Sequence, residues 1–222
     1  MALLHVLAFL RGKLGFSLHA HGVDHGLRDD AARELDRAAD YARSLEVPWG
    51  QTLTKVAPGG NLQARARTQR FVALRAAAST AGATLIATGH HADDRAETVL
   101  IRLLRGTSPR GLAVLPSRSE DLIRPFLRAR RSDILAHIGR HQIPYSSDPS
   151  NASPRFVRTR VRHELLPLME QLSPSIVSHL CRLADDLDRD PPRSSGLRPP
   201  ELARFHGRAR GAARPSRTPR GK

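Results

Sequence analysis

The sequence has a single cysteine, Cys181, which excludes an intrachain disulfide and any zinc site built from several thiolates. A reducing compartment, the cytoplasm, is the simple expectation. No apolar run is long enough to span a bilayer: residues 1–10 are apolar but too short, with no basic segment before them and no small-residue cleavage pattern after them. Neither an anchor nor a signal peptide is expected. Acidic residues are few, 21 against 36 basic ones, and among the basic ones only Lys13, Lys55 and Lys222 are lysine. The resulting net charge of +15 is uneven, because residues 191–222 hold nine basic residues and one acidic, and residues 1–190 hold 27 and 20. With no basic amphipathic anchor, a moderately basic body of this kind fits nucleic acid better than a membrane.

What is present is an alternation of short β-rich runs with helical patterns 15 to 20 residues long, the signature of crossover units on a parallel sheet. A first helix is expected over residues 2–11, stopped by Gly12, then a strand over 16–21 and a loop over 22–26. Asp29 or Asp30 can cap a second helix that runs to about Leu45 and is ended by Pro48. Residues 49–56 read as a strand and 61–80 as a long Ala/Arg helix. A strand over 84–88 then leads through a tight turn into a helix whose inward positions would be Val99, Leu100, Leu103 and Leu104. Past Gly106 come turns, one short apolar run at Leu122-Ile123, a helix capped by Ser132, and helices near 155–171 and 174–188. Residues beyond Asp190 are Pro, Arg, Gly, Ser and Ala without periodicity, which predicts disorder. Three regions follow: 1–129 as an α/β domain, 130–190 as a helical extension, and 191–222 as a basic tail.

The turn at 88–97 carries the densest chemistry. His90, His91, Asp93 and Asp94 crowd a helix start just past a strand end, with Glu97 on the same helical face. Ligands of open α/β sheets bind at such strand ends, and helix N-termini there favour anions. Carboxylates in that place either cap the helix or hold a cation for an anionic ligand. Arg67 and Arg70, at i and i+3, form a pair able to clamp phosphate, or a solvated arginine face. Arg155, Arg158, Arg160 and Arg162 follow Asp148-Pro149-Ser150-Asn151 and fan over about 200° of helix surface, too wide for a small ligand and suited to a phosphate backbone. His19, His21, Asp24 and His25 suggest a metal-dependent hydrolase, although the extra Val23 aims the Asp-His pair away from the two histidines.

In order along the chain, H-G-V-D-H-G-L-R, A-R-x-x-R-F-x-x-L, T-G-H-H-x-D-D-x-x-E-T-x-L-x-R-L-x-R-G, I-R-P-x-L, S-D-P-S-N and R-x-R-x-R-H-E-L-L-P resemble the tRNA(Ile)-lysidine synthetase family of the N-type ATP pyrophosphatase superfamily. The resemblance covers about residues 1–187. Phe71 stands where that family usually has Tyr, Arg95 where it has Gln, and Thr159 where Asn is common. The cysteine pairs of related tRNA-thiolating enzymes are missing.

The resemblance implies a doubly wound parallel sheet of the adenine nucleotide α-hydrolase type and the ATP-dependent joining of free L-lysine to C2 of the wobble cytidine of a CAU-anticodon tRNA(Ile), through an adenylated tRNA. It implies ATP and Mg²⁺ as cofactors, allows a homodimer, and gives no membrane partner. It assigns catalysis to Asp93, Asp94 and His90, with Asp93 and Asp94 as metal ligands. Asp24, His25, Arg67, Arg70 and Glu97 are expected near the nucleotide, and Asn151, Arg155, Arg158, Arg160 and Arg162 toward tRNA. The family's phosphate loop, S-G-G-x-D-S, is not among these residues, and Met1 aligns with the position just after it. The first, central strand is therefore expected to be missing, the strands at 16–21 and 84–88 to face a gap, and the chain as written to be inactive. A catalytically dead RNA-binding remnant is the alternative from another class.

Overall fold

The polypeptide closes its first helix with a glycine, but not the one its spacing suggests. Helix α1 spans Ala2–Leu14 and ends at Gly15, which takes φ 68°, while its amide and that of Phe16 both donate to the Arg11 carbonyl. Gly12 lies inside the helix, and only Gly15 adopts the left-handed conformation that such an end requires. Strand β1 follows at Ala20–Asp24, helix α2 at Asp30–Ser44, strand β2 at Trp49–Leu53 and helix α3 at Leu62–Thr80. Strand β3 is only Ile86–Ala87, and helix α4 is Ala92–Leu104. A 3₁₀ turn, Pro109–Leu112, precedes strands β4 (Arg118–Ser119) and β5 (Leu122–Ile123). Helix α5 is Arg131–Arg140, α6 is Val157–Arg160, a π-helical stretch covers Val161–Leu165, and α7 (Leu166–Leu172) and α8 (Ile176–Arg189) complete the order.

This computed structural model describes residues 1–24, 26, 30–54, 59–60, 62–146 and 156–189. Residues Met1–Pro191 make one unit. The expected tail, the possible cap at Asp29, and the site residues His25, Asn151 and Arg155 lie outside the described residues.

Two strand pairs carry the parallel geometry. β1 runs parallel to β2, from Ala20 opposite Trp49 to Asp24 opposite Leu53. β3 runs parallel to β5, and β4 joins β5 antiparallel, giving the order β3-β5-β4. The expected strand over 16–21 is thus shifted to 20–24, because its partners begin only where the Ala20 amide meets the Pro48 carbonyl at 2.8 Å. The strand over 84–88 shrinks to two residues for the same reason, and β4 had no apolar alternation to announce it. The two sheets are not hydrogen-bonded to each other. Between them lies a cavity of about 470 Å³, bordered by His19, His21 and Gly22 on one side and Leu85, Ile86 and Ala87 on the other, over an apolar floor that includes Leu4 and Leu74. Gly22 is needed there, since a Cβ would stand 2.5 Å from Leu35 and 2.8 Å from the Trp49 ring.

The main core is built around α4. Ala92, Ala96, Val99 and Leu100 pack with Leu112, Val114, Val161 and Leu166, and with Val177, Leu180 and Ala184 of α8. Leu103 and Leu104, expected inward, remain 47% and 63% exposed. Periodicity marks an apolar stripe but not which turns of it a neighbour covers, and the close approach of α8 uses the small Ala92 and Ala96 instead. Arg95 is buried within this contact: its Nε donates to the Val114 carbonyl at 3.0 Å and its Nη1 to Asp185 Oδ1 at 2.6 Å. Helix α5 starts at Arg131 rather than at a Ser132 cap, with the Arg130 amide donating to Asp133 Oδ2 at 2.9 Å. No helix among the described residues is long and apolar enough to cross a membrane.

Candidate functional site

The start of α4 is fixed by a reciprocal cap between His91 and Asp94. The His91 amide donates to Asp94 Oδ2 at 3.1 Å, and the Asp94 amide donates to His91 Nδ1 at 3.4 Å. Capping boxes usually begin with a hydroxyl or carboxylate residue; here an imidazole takes that place. The two aspartates are therefore not equivalent. Asp93 is enclosed by cationic and amide donors: Arg130 Nη2 at 3.0 Å and Nε at 3.2 Å from Oδ1, and the Arg131 amide at 2.7 Å from Oδ2. Burial alone would raise its pKa. The hydrogen bonds from His91, Arg130 and the Arg131 amide, with the Arg130 charge, outweigh burial and hold it far below the usual carboxylate range. Arg130 also reaches Glu170, so Asp93 ties α4 to α5 and α7.

Behind Asp94, Glu97 is 1% exposed and receives two guanidinium groups. Arg158 Nε donates to its Oε2 at 2.9 Å, and Arg162 donates Nε to Oε1 at 2.6 Å and Nη2 to Oε2 at 3.0 Å. Arg162 Nη2 also lies 3.4 Å from Asp94 Oδ1. Arg158 and Arg162 thus share one face of the α6 and π-helical segment and dock it on α4. Arg160, on the opposite face, pairs with Glu164 at 2.9 Å in solvent.

A second group of side chains is cationic without compensation. Arg67 and Arg70 lie over the Phe71 ring, 5.2 and 5.6 Å from its centroid, and neither has a carboxylate partner among the described residues. Burial, then the charge of Arg158, lowers the pKa of Arg67; burial, then Arg67, lowers that of Arg70. Arg124 belongs with them, its pKa lowered by burial and then by Arg67 and Arg95. It is 7% exposed, donates Nη1 to the Pro116 carbonyl at 2.6 Å, and leaves its buried Nε unpartnered. Sequence reasoning passed over Arg124 as a site residue, although it stands in the I-R-P run just past β5, the strand that pairs with β3.

His90 faces both groups. Burial pushes its pKa down to about 4; Asp94 opposes this, while Arg67, Arg124 and Arg70 reinforce it. The ring is neutral at pH 7 and hydrogen-bonded through Nδ1 to Thr88 Oγ1 at 2.9 Å. An unfolded His90 takes up its proton near pH 6.5 and the folded one only near pH 4. Between those values the unfolded state binds more protons, so acidification from pH 7 to pH 4 destabilises the fold through this residue. Thermal melts across that range should show His90→Gln losing less stability than the parent chain; parallel curves would mean that His90 is not buried.

At the end of β1, Asp24 Oδ1 accepts the Gly26 amide at 2.8 Å, and its carbonyl accepts the Thr54 amide at 2.7 Å, a turn rather than an open ligand. The rings of His19 and His21 stack at 6.4 Å, and His21 Nε2 is hydrogen-bonded to Thr52 Oγ1 at 2.8 Å. The described members of the suspected metal-hydrolase set do not form a ligand group among the described residues.

Parallel strands, a helix N-terminus at a strand end, and arginines without a carboxylate partner among the described residues define an α/β protein whose strand ends suit an anionic ligand. The PP-loop domain family matches residues 1–169, and the chain belongs to that family. It is 39% identical over 197 residues to the tRNA(Ile)-lysidine synthase of Symbiobacterium thermophilum, covering 83% of this chain and 40% of that one. With the enzyme of the same name from Thermobifida fusca it shares 37% over 194 residues, covering 85% and 60%. With that of Rhodopseudomonas palustris it shares 42% over 161 residues, covering 70% and 46%. The chain thus spans roughly half the length of these relatives. In fold it is similar to the U34-tRNA thiolase NcsA from Methanococcus maripaludis, with a TM-score of 0.68 at 14% identity, over 85% of this chain and 68% of that one.

Proposed function

We propose that these residues form the ATP- and tRNA-binding part of a cytoplasmic ligase that makes lysidine in a CAU-anticodon tRNA(Ile). The observation that carries the reading is Arg67 and Arg70, without a carboxylate partner among the described residues and grouped with Arg124 and a neutral His90 at the α4 start, in a chain that is 39% identical to a lysidine synthase. In the reaction, the C2 carbonyl oxygen of the wobble cytidine attacks the α-phosphorus of ATP and pyrophosphate leaves. The ε-amine of free lysine then attacks C2, loses a proton and displaces AMP. The carbonyl is a poor electrophile, and adenylation turns its oxygen into a leaving group.

Arg67, Arg70 and Arg124 take the phosphates, and His90, uncharged, can donate or accept a hydrogen bond beside them without adding charge. Mg²⁺ neutralises phosphate charge when bound, through one or two carboxylates and the phosphates themselves. Asp94 fits this role, since its Oδ1 has only long contacts, to Arg162 at 3.4 Å and to Arg158 at 4.0 Å, whereas Asp93 is engaged at close range by Arg130 and the Arg131 amide. Asp93 and Glu97 then act on the site through the arginines they hold, and Arg158 and Arg162 position the segment whose Arg160, with Asn151 and Arg155, meets tRNA. Asp24, at the end of β1, and His25 are assigned to the nucleotide.

S-G-G-x-D-S does not occur in these 222 residues, so they supply no pyrophosphate cradle of that type. The 222-residue chain is expected to bind Mg-ATP by calorimetry and to retain CAU-anticodon tRNA(Ile) over the GAU form in filter binding at 150 mM salt, without transferring labelled lysine. Equal retention of the two tRNAs would defeat the lysidine reading, and lysine transfer by this chain alone would defeat the dependence on the loop.

A further inference from the structure

Helices α1 and α5, distant in sequence, bring three histidines together away from the site described above. His137 and His141 are one helical turn apart at the end of α5, and the His141 amide donates to the His137 carbonyl at 3.1 Å, so the helical spacing holds through the last residue. His5 of α1 faces both. The ring centroids are 5.2 Å apart for His5 and His137, 4.9 Å for His5 and His141, and 4.4 Å for His137 and His141. One nitrogen from each ring lies within 4.8 Å of the other two.

We propose that His5, His137 and His141 form a binding site for a first-row divalent transition metal of the zinc type, which clamps α1 to α5. Two features beyond proximity support this. His137 Nε2 is buried and has no hydrogen-bond partner among the described residues, an unusual condition for a polar atom that a metal would relieve. His5 Nδ1 is held by the Tyr41 hydroxyl at 2.6 Å, which leaves its Nε2 as the free ligand atom. With the Nδ1–H donating to the Tyr41 oxygen, the ring takes the tautomer a metal needs, the usual outer arrangement around a ligating histidine.

The ligand set selects the ion. Three neutral imidazoles suit Zn²⁺, Ni²⁺ or Cu²⁺ and do not suit Mg²⁺, which takes oxygen. Three nitrogens on one tetrahedral Zn²⁺ stand about 3.3 Å apart, so the present spacing closes with small rotations of the rings. His141 is exposed, which leaves the fourth position open to water.

The test uses the 222-residue chain purified without a histidine tag. Zinc titration by calorimetry is expected to give one site, and Co²⁺ is expected to give the visible absorption of a tetrahedral ion. At a free zinc concentration 100 times the Kd, the melting temperature should rise by about 5 to 10 °C. His141→Gln alters an exposed side chain and should fold normally by circular dichroism, yet weaken zinc binding at least about 100-fold; Tyr41→Phe should weaken it about 10-fold, the range for an outer-shell partner. Zinc affinity unchanged in His141→Gln, or a parent chain that takes up no zinc, would overturn the assignment.

Discussion

Replacing Arg70 by methionine is expected to weaken ATP binding about 10- to 100-fold while leaving the melting temperature the same or higher. The two directions come from one cause. A charged hydrogen bond to phosphate contributes roughly 1.5–3 kcal/mol, and that is the range of the affinity loss. Without ligand, the guanidinium is partly buried beside Arg67 with no carboxylate to offset it, and its lowered pKa records that the folded chain disfavours the charge. Methionine keeps an unbranched apolar side chain at this position and removes the repulsion. A residue present only for packing would give the opposite pattern, with lower stability and unchanged ATP affinity. Calorimetry and a thermal melt on the same variant separate the two.

Glu97→Gln is expected to cost the fold about 3 kcal/mol, or about 6 to 12 °C in melting temperature for a chain of this length. The carboxylate is 1% exposed and faces two guanidinium groups, and removing one side of a buried pair leaves the other side's charges unmatched. The loss falls at the low end of the usual range because Arg158 and Arg162 are 46% and 22% exposed and can regain water. Arg160→Ala is the natural control. Its i,i+4 pair with Glu164 is exposed on both sides, and such pairs contribute under about 0.5 kcal/mol. Equal melting shifts in the two variants would refute the anchoring role of Glu97.

The comparison of Asp93 with Asp94 shows where reading the chain succeeds and where it stops. The adjacent carboxylates at a helix start after a strand were legible because capping and strand-end patterns are local. Which carboxylate stays available was not legible. Arg130 lies 37 residues from Asp93, and only the docking of α5 brings its guanidinium to 3.0 Å. Arg158, Arg160 and Arg162 were readable as a broad basic fan for the same reason, yet two of the three are turned inward by a glutamate more than sixty residues away.

The sequence by itself determined the alternation of helices with the longer strands, the α/β class with parallel crossovers, the family, and the crowding of His90, His91, Asp93 and Asp94 at a helix start. Each rests on local preferences: periodicity and residue types at fixed spacing. Only the tertiary structure decided that Asp93 and Glu97 are held by arginines while Arg67, Arg70 and Arg124 have no carboxylate partner among the described residues, that Ala92 and Ala96 rather than Leu103 and Leu104 meet α8, and that His5 meets His137 and His141. These depend on which distant charges and surfaces are brought together. A residue's spacing gives its direction on a helix, whereas its partner, its burial and so its charge state are set by what packs against that direction.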